Sequence, residues 1–193
     1  MISPQNIEIY ILCGGQSRRM GRNKSFMRWH GKSFLEWSIA AARPLSDRIT
    51  LVANDETYHQ FGLPVIHDVY PGAGPAAGIH AALLTSKYPS NLILSCDNPL
   101  ITSDLLRFLL DHSSEMVGVN YLRKDQGDYP LIGVYQKRMS DHFERHLGNG
   151  NNQLMKIIRS HRYQAHDPPI QYHHQVQNIN TPGDFARLLN TSQ

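Results

Sequence analysis

The chain of 193 residues lacks several features that would each fix a protein's class. It has only two cysteines, Cys13 and Cys96, too few for the disulfide framework of a small secreted domain. No apolar run approaches the roughly 20 residues that a membrane-spanning helix needs. The opening "MISPQNIEIYILCGG" has no basic stretch of the kind that begins a secretory leader. Charge is scarce as well: 18% of residues are Asp, Glu, Lys or Arg, the formal net charge is +3, and no long block carries one sign. A nucleic-acid duplex calls for a domain-wide basic stripe, so a polyanionic small molecule fits this balance better. There is no internal repeat and no low-complexity linker. These absences predict a protein of a reducing compartment, most simply the cytoplasm, with neither nucleic acid nor membrane as partner. The length suits one α/β domain with a full core.

What the chain does have is alternation. Apolar, β-branched runs at 7–13, 49–53, 64–67 and 92–95 read as buried strands. Helical patterns follow them at 33–44, 56–61, 76–86 and 103–112. Ser33 and Glu36 stand at capping-box spacing, and Pro44 is placed to end that helix. This order predicts a parallel sheet covered on both faces. The second half is less regular. Strands are expected at 116–121, 131–135 and 176–179, and helices at 139–146 and 153–160. A terminal helix should begin at Thr181-Pro182-Gly183-Asp184, with Thr as cap and Pro in first position. Strict alternation is lost here, so a mixed sheet is expected.

Open α/β sheets bind ligands beyond the carboxyl ends of their strands, and three loops fall there. The first is "LCGGQSRRMGRNKS". Its glycines allow backbone N–H groups to approach phosphate oxygens, Arg18 and Arg19 offer forked donors, and Lys24 a mobile charge. Arg22 and Asn23 separate Gly21 from Lys24, so it is not a Walker loop, and it is not G-x-G-x-x-G either. The second, "DVYPGAGPAAGIHAAL", is a tight small-residue loop running into a helix, suited to admitting a flat base against backbone. The third, "SCDNPL", ends a strand with Asp97, a natural ligand for Mg²⁺, which takes few protein oxygens and leaves room for phosphates.

Together "LCGGQSRRMGRNK", "DVYPGAGPAAGI", "CDNP" and "NINTPGDF" resemble the molybdenum cofactor guanylyltransferases, from about Ile7 to Leu189. The first motif is shared with cytidylyl- and sugar-nucleotidyltransferases. The other glycine loop and the terminal Asn-x-Asn-Thr-Pro are more particular to the molybdenum branch. The resemblance implies a three-layer, Rossmann-like nucleotidyltransferase fold with a mostly parallel central sheet. It implies one domain over 1–193, with a nucleotide-binding half at 1–112 and an acceptor-binding half at 113–193. It implies GTP, Mg²⁺ and molybdopterin as reactants, with transient contact to other molybdenum-cofactor proteins. A phosphate of the pterin would attack the α-phosphorus of GTP and release pyrophosphate.

Carried onto this chain, the resemblance makes Lys24, Arg18 and Asp97 catalytic, with Asp97 holding the metal. Leu12, Cys13, Gly14, Gly15, Lys24, Asp68, Gly74, Gly78 and Asp97 would bind the nucleotide, and Asn178 and Asn180 the acceptor. Four positions depart from the family pattern: Asn23 stands for an acid, Cys13 for alanine, Ala76 for leucine and Gly183 for an acid. Other readings of the same loops are CTP as donor, a sugar phosphate as acceptor, or a GTP-binding partner protein without turnover.

Remaining candidates carry less. His161, His166, His173 and His174 lack ligand-like spacing and read as surface residues. Cys13 and Cys96 read as reduced, buried small residues, close together if the first and fourth strands are neighbours. Phe26, Trp29, Phe34 and Trp37 read as core. Asp128-Tyr129-Pro130 precedes a strand and is a candidate for the acceptor side.

Overall fold

A computed structural model describes residues 2, 6–13 and 23–190. Its centre is one seven-stranded sheet in the order β5-β4-β1-β6-β8-β7-β9. The strands are β1 (Ile7–Leu12), β4 (Ile49–Val52), β5 (Val65–Ile66), β6 (Ser90–Ser95), β7 (Val119–Lys124), β8 (Gly127–Gln136) and β9 (Tyr163–His166). A small antiparallel pair, β2 (Arg28–Trp29) and β3 (Lys32–Ser33), stands apart. β4, β6 and β5 join the sheet in parallel pairings, and β9 pairs parallel to β7. β8 pairs antiparallel to both its neighbours, so it alone runs against the rest. The sheet is therefore mixed but mostly parallel.

Both faces are covered. Ile7, Ile9 and Ile11 of β1 join one core with Leu35, Leu105 and Leu109, while Tyr10 and Leu12 join the other with Ile79, Phe143 and Ile158. Leu92 and Leu94 of β6 follow the first pattern and Ile93 the second. Period-two alternation with apolar residues on both sides is what a sheet buried on two faces demands. Each such Leu or Ile contributes roughly 1.5–3 kcal/mol of burial. Helices α1 (Phe34–Ala42) and α3 (Ser103–His112) cover one face. Helices α2 (Pro75–Thr85), α4 (Ser140–Gly148) and α5 (Leu154–Arg159) cover the other. This makes the three layers. A final helix, α6 (Pro182–Asn190), brings Leu188 against Phe34 and Ile179. Among the described residues no helix is long and apolar enough to cross a membrane.

Local signals explain the boundaries. Ser33 Oγ accepts from the Glu36 amide, and Glu36 accepts from the Ser33 amide, the capping box anticipated at α1. At α6, Thr181 Oγ1 accepts from the Asp184 amide at 3.1 Å, while Asp184 Oδ2 accepts from the amides of Asn180 and Thr181. The 56–61 segment is a 3-10 helix, ended by Gly62 at φ +66°.

Two expectations in the second half are corrected. The segment 176–179 is not a strand. Val176 and Ile179 are each 1% exposed, anchored as apolar pegs rather than as ladder partners. The strand there is β9, whose sequence Tyr-Gln-Ala-His buries only its last residue, so its hydrophobic pattern is faint. The strand expected at 116–121 lies instead at 119–124, because Met116 points to solvent at 80% exposure. β7 and β8 then run on to a tight turn, where Asp125 takes φ +55°.

Candidate active site

The chain leaves β1 for β4 on one flank and later lays β6 on the other. That reversal of strand order opens a crevice at the carboxyl ends. A cleft of about 770 Å³ occupies it. Leu12 and Cys13 from the end of β1, Lys24, Asp68, Gly74, Gly78 and Asp97 all line this one cleft. Gly14, Gly15 and Arg18 lie outside the described residues.

Asp97 is the second residue after β6. It is half-buried, and its Oδ1 accepts from Ser95 Oγ at 2.5 Å. Its backbone carbonyl accepts from the Ile179 amide at 2.9 Å, which brings the C-terminal Asn-Ile-Asn segment to the cleft edge. Neither Asn178 nor Asn180 lines the cleft wall, but the Lys24 ammonium donates to Asn180 Oδ1 across that edge. Lys24 opens the 3-10 turn Lys24–Phe26. Asn23 caps this turn, its Oδ1 accepting from the Ser25 amide at 3.1 Å.

At the other end of the cleft Asp68 is half-buried and clamped by Asn54. Asn54 Oδ1 accepts from the Asp68 amide at 2.9 Å, and Asn54 Nδ2 donates to Asp68 Oδ2 at 3.2 Å. Burial pushes the Asp68 carboxyl above its usual range, against the pull of Asn54 and His67. A Cβ on Gly78 would come within 3.2 Å of a Leu12 methyl and 3.5 Å of Asp68 Oδ1, so the α2 backbone passes close to both. Gly74 takes φ +67° and ψ −154° as it turns the chain into α2, a conformation open to glycine alone.

The two cysteines are free, buried thiols. They follow the registered pair Leu12 and Ser95 on adjacent strands, and both are buried. Burial pushes the Cys96 thiol up to about 11. It pushes Cys13 well above the ordinary thiol range, with Cys96 adding to the effect. Among the described residues no group of three His, Cys, Asp or Glu is arranged to hold a metal. One histidine reading is corrected: His166 is not on the surface but 8% exposed, beside Asn120 Oδ1 at 3.2 Å. Of the aromatic set, Phe34 is fully buried, while Phe26 and Trp29 are partly buried and packed against the cores. Asp128 accepts from Tyr121 Oη and from Arg159, away from the cleft lining.

Sequence reasoning missed Asn54 and Tyr58, which also line the cleft. Asn54 carried a signal: it lies just past β4, at the same sheet edge as the three loops considered. Tyr58 carried none, since it belongs to a short helix without motif character.

A doubly wound sheet with its cleft at the switch in strand order, lined by an ammonium, three carboxylates and close-packed glycines, defines a nucleotide-binding α/β protein. Comparison with known proteins agrees. The chain belongs to the family of the MobA-like NTP transferase domain, which matches residues 9–166. It is 32% identical over 190 residues to a probable molybdenum cofactor guanylyltransferase of Carboxydothermus hydrogenoformans, covering 96% of each chain. It is 31% identical to a molybdenum cofactor guanylyltransferase of Ectopseudomonas mendocina, covering 92% of this chain and 89% of that one. The crystal structure of molybdopterin-guanine dinucleotide biosynthesis protein A from Archaeoglobus fulgidus superposes with a TM-score of 0.81 at 24% identity, over 95% of this chain and 97% of that one. The 2-C-methyl-D-erythritol 4-phosphate cytidylyltransferase of Thermus thermophilus gives 0.69 at 12% identity, over 95% and 97%. These two structural likenesses establish the fold.

Proposed function

We propose that this protein transfers GMP from GTP to molybdopterin, with Mg²⁺ as cofactor. A phosphate oxygen of the pterin forms the new bond to the α-phosphorus of GTP. The bond from that phosphorus to the bridging oxygen breaks, and pyrophosphate leaves. The observation that carries the reading is the shared cleft of Lys24, Asp97 and Asp68 in a chain related over nearly its full length to guanylyltransferases.

Each group has a task that its chemistry suits. The attacking group is already a phosphate, so no strong base is required; alignment and charge neutralisation suffice. Lys24 supplies a positive charge to the triphosphate, and the family resemblance adds Arg18 or Arg19 and the amides of Gly14 and Gly15 as further donors. Asp68, with Gly78 and Leu12 beside it, suits the guanine end. A carboxylate accepts at once from the two N–H groups on guanine's edge, which cytosine does not offer. Asn178 and Asn180 border the side left for the pterin.

The donor set fits Mg²⁺. Asp97 offers a hard oxygen ligand, half-buried at a strand end, and Mg²⁺ takes one or two protein carboxylates while keeping water and phosphate oxygens. When bound, the ion would neutralise charge on the phosphates. Within this reading the protein acts in the cytoplasm and meets other molybdenum-cofactor proteins transiently.

The test is pyrophosphate release with authentic molybdopterin, GTP and CTP in parallel, with and without Mg²⁺. Release with GTP and Mg²⁺ is the expected result. Faster release with CTP would overturn the donor assignment, and GTP binding without release would make the chain a binding partner.

A further inference from the structure

Tyr58 lies in the 3-10 helix Glu56–Phe61, outside every motif considered above. Its ring is 2% exposed and sits near Phe26 and Phe61, with ring centroids 5.3 and 6.4 Å away. Its hydroxyl reaches the two residues that flank Lys24. Asn23 Nδ2 donates to Tyr58 Oη at 2.9 Å, and Tyr58 Oη donates to Ser25 Oγ at 2.9 Å. Ser25 Oγ lies 3.1 Å from Cys96 Sγ, next to Asp97 in the chain. Asn23 Oδ1 closes the loop of bonds on the Ser25 amide.

Proton counting gives this network a direction. A phenol has one proton to donate. Asn23 Oδ1 also stands 3.2 Å from the hydroxyl, but donation from Asn23 Nδ2 leaves the phenol proton free for Ser25. A carboxylate at position 23 has no proton to give. It would accept the phenol's hydrogen bond and leave Ser25 Oγ without a donor from Tyr58. Asparagine at position 23 is thus matched to this tyrosine. Burial pushes the Tyr58 phenol above its usual range, which keeps it a neutral donor.

The turn that presents Lys24 has three residues, too few to hold its shape by its own hydrogen bonds. We propose that Tyr58 is a positioning residue for Lys24, fixing the turn Lys24–Phe26 through Asn23 and Ser25 so that the ammonium is set at the cleft. It ties that turn to a stretch of chain more than thirty residues away in sequence, at separations of 35 and 33. The function of the fixed lysine rests on the proposed GTP reading; the fixing itself does not.

Tyr58→Phe removes the hydroxyl and keeps the ring. Hydrogen exchange at the Ser25 amide in the full chain should rise about tenfold, the scale of one lost buried hydrogen bond, with the melting temperature little changed. Mg-GTP affinity should fall about fivefold to tenfold. In a Lys24→Ala background the same change should cost less than about twofold, because the residue being positioned is gone. A purely structural role would give equal losses in both backgrounds, and that result overturns the proposal, as does unchanged exchange at Ser25. If the protein binds no GTP at all, the proposed function fails, and the exchange measurement still decides whether Tyr58 holds the turn. Should Tyr58→Phe fail to fold, Ser25→Ala removes the other end of the same bond and gives the same two readouts.

Discussion

Asp68→Asn is the sharpest perturbation of the donor assignment. The side chains are nearly isosteric, and Asn54 Oδ1 still receives the backbone amide of residue 68, as it does now at 2.9 Å. What changes is the group presented to the cleft beside Gly78 and Leu12. One carboxylate oxygen becomes an NH₂, which places a donor against a donor of guanine and deletes a charge-assisted hydrogen bond. Such bonds are worth about 1.5–3 kcal/mol, so GTP affinity should fall about 10- to 150-fold. CTP presents no matching pair of N–H groups and should lose less than about threefold. Acidity adds a second signature. Burial holds the Asp68 carboxyl above its usual range, so wild-type GTP affinity should decline on acidification sooner than an exposed aspartate would allow. Asp68→Asn should remove that decline. Equilibrium titration of both nucleotides with Mg²⁺ across pH measures all of this. Equal losses for GTP and CTP, or none for either, would refute the role of Asp68 at the base.

Asp97→Ala should reduce transfer by at least about a hundredfold and abolish the Mg²⁺ dependence of nucleotide binding, while far-UV circular dichroism stays unchanged; normal turnover would sink the metal assignment. Gly74→Ala should cost about 1–3 kcal/mol in urea unfolding, because φ +67° with ψ −154° strains any side-chain-bearing residue, and an unchanged midpoint would contradict the backbone assignment. Stability should also fall as pH drops below about 6.5. His80 is 1% exposed with neither ring nitrogen paired, and burial holds its pKa below the ordinary 6.5. The folded state therefore resists a proton that the unfolded chain accepts, and stability is lost on acidification at up to about 1.4 kcal/mol per pH unit for each such histidine. His80→Leu should flatten that slope, and a slope unchanged by the substitution would rule His80 out as its source.

Much of the first half of the fold was legible because its signals are local. The Ser33–Glu36 box, the short helix at 56–61 and the double-sided apolar strands rest on signals a few residues long, and each appears where expected. The second half depended on partners. β9 sits at the sheet edge, where exposure leaves no hydrophobic period to read, and Val176 and Ile179 are buried by what packs over them rather than by a ladder. The cleft divides in the same way. Sequence by itself marked Lys24, Asp68, Gly74, Gly78 and Asp97, since glycine spacing and charged residues after strands are chain-local features. Only the tertiary structure decided that they share one cavity and that Asn54 clamps Asp68. The same holds for Asn180 meeting Lys24 and for Tyr58 tying down the turn around it. Those contacts join segments far apart along the chain. Their geometry follows from strand order and sheet register, which no short stretch of sequence encodes.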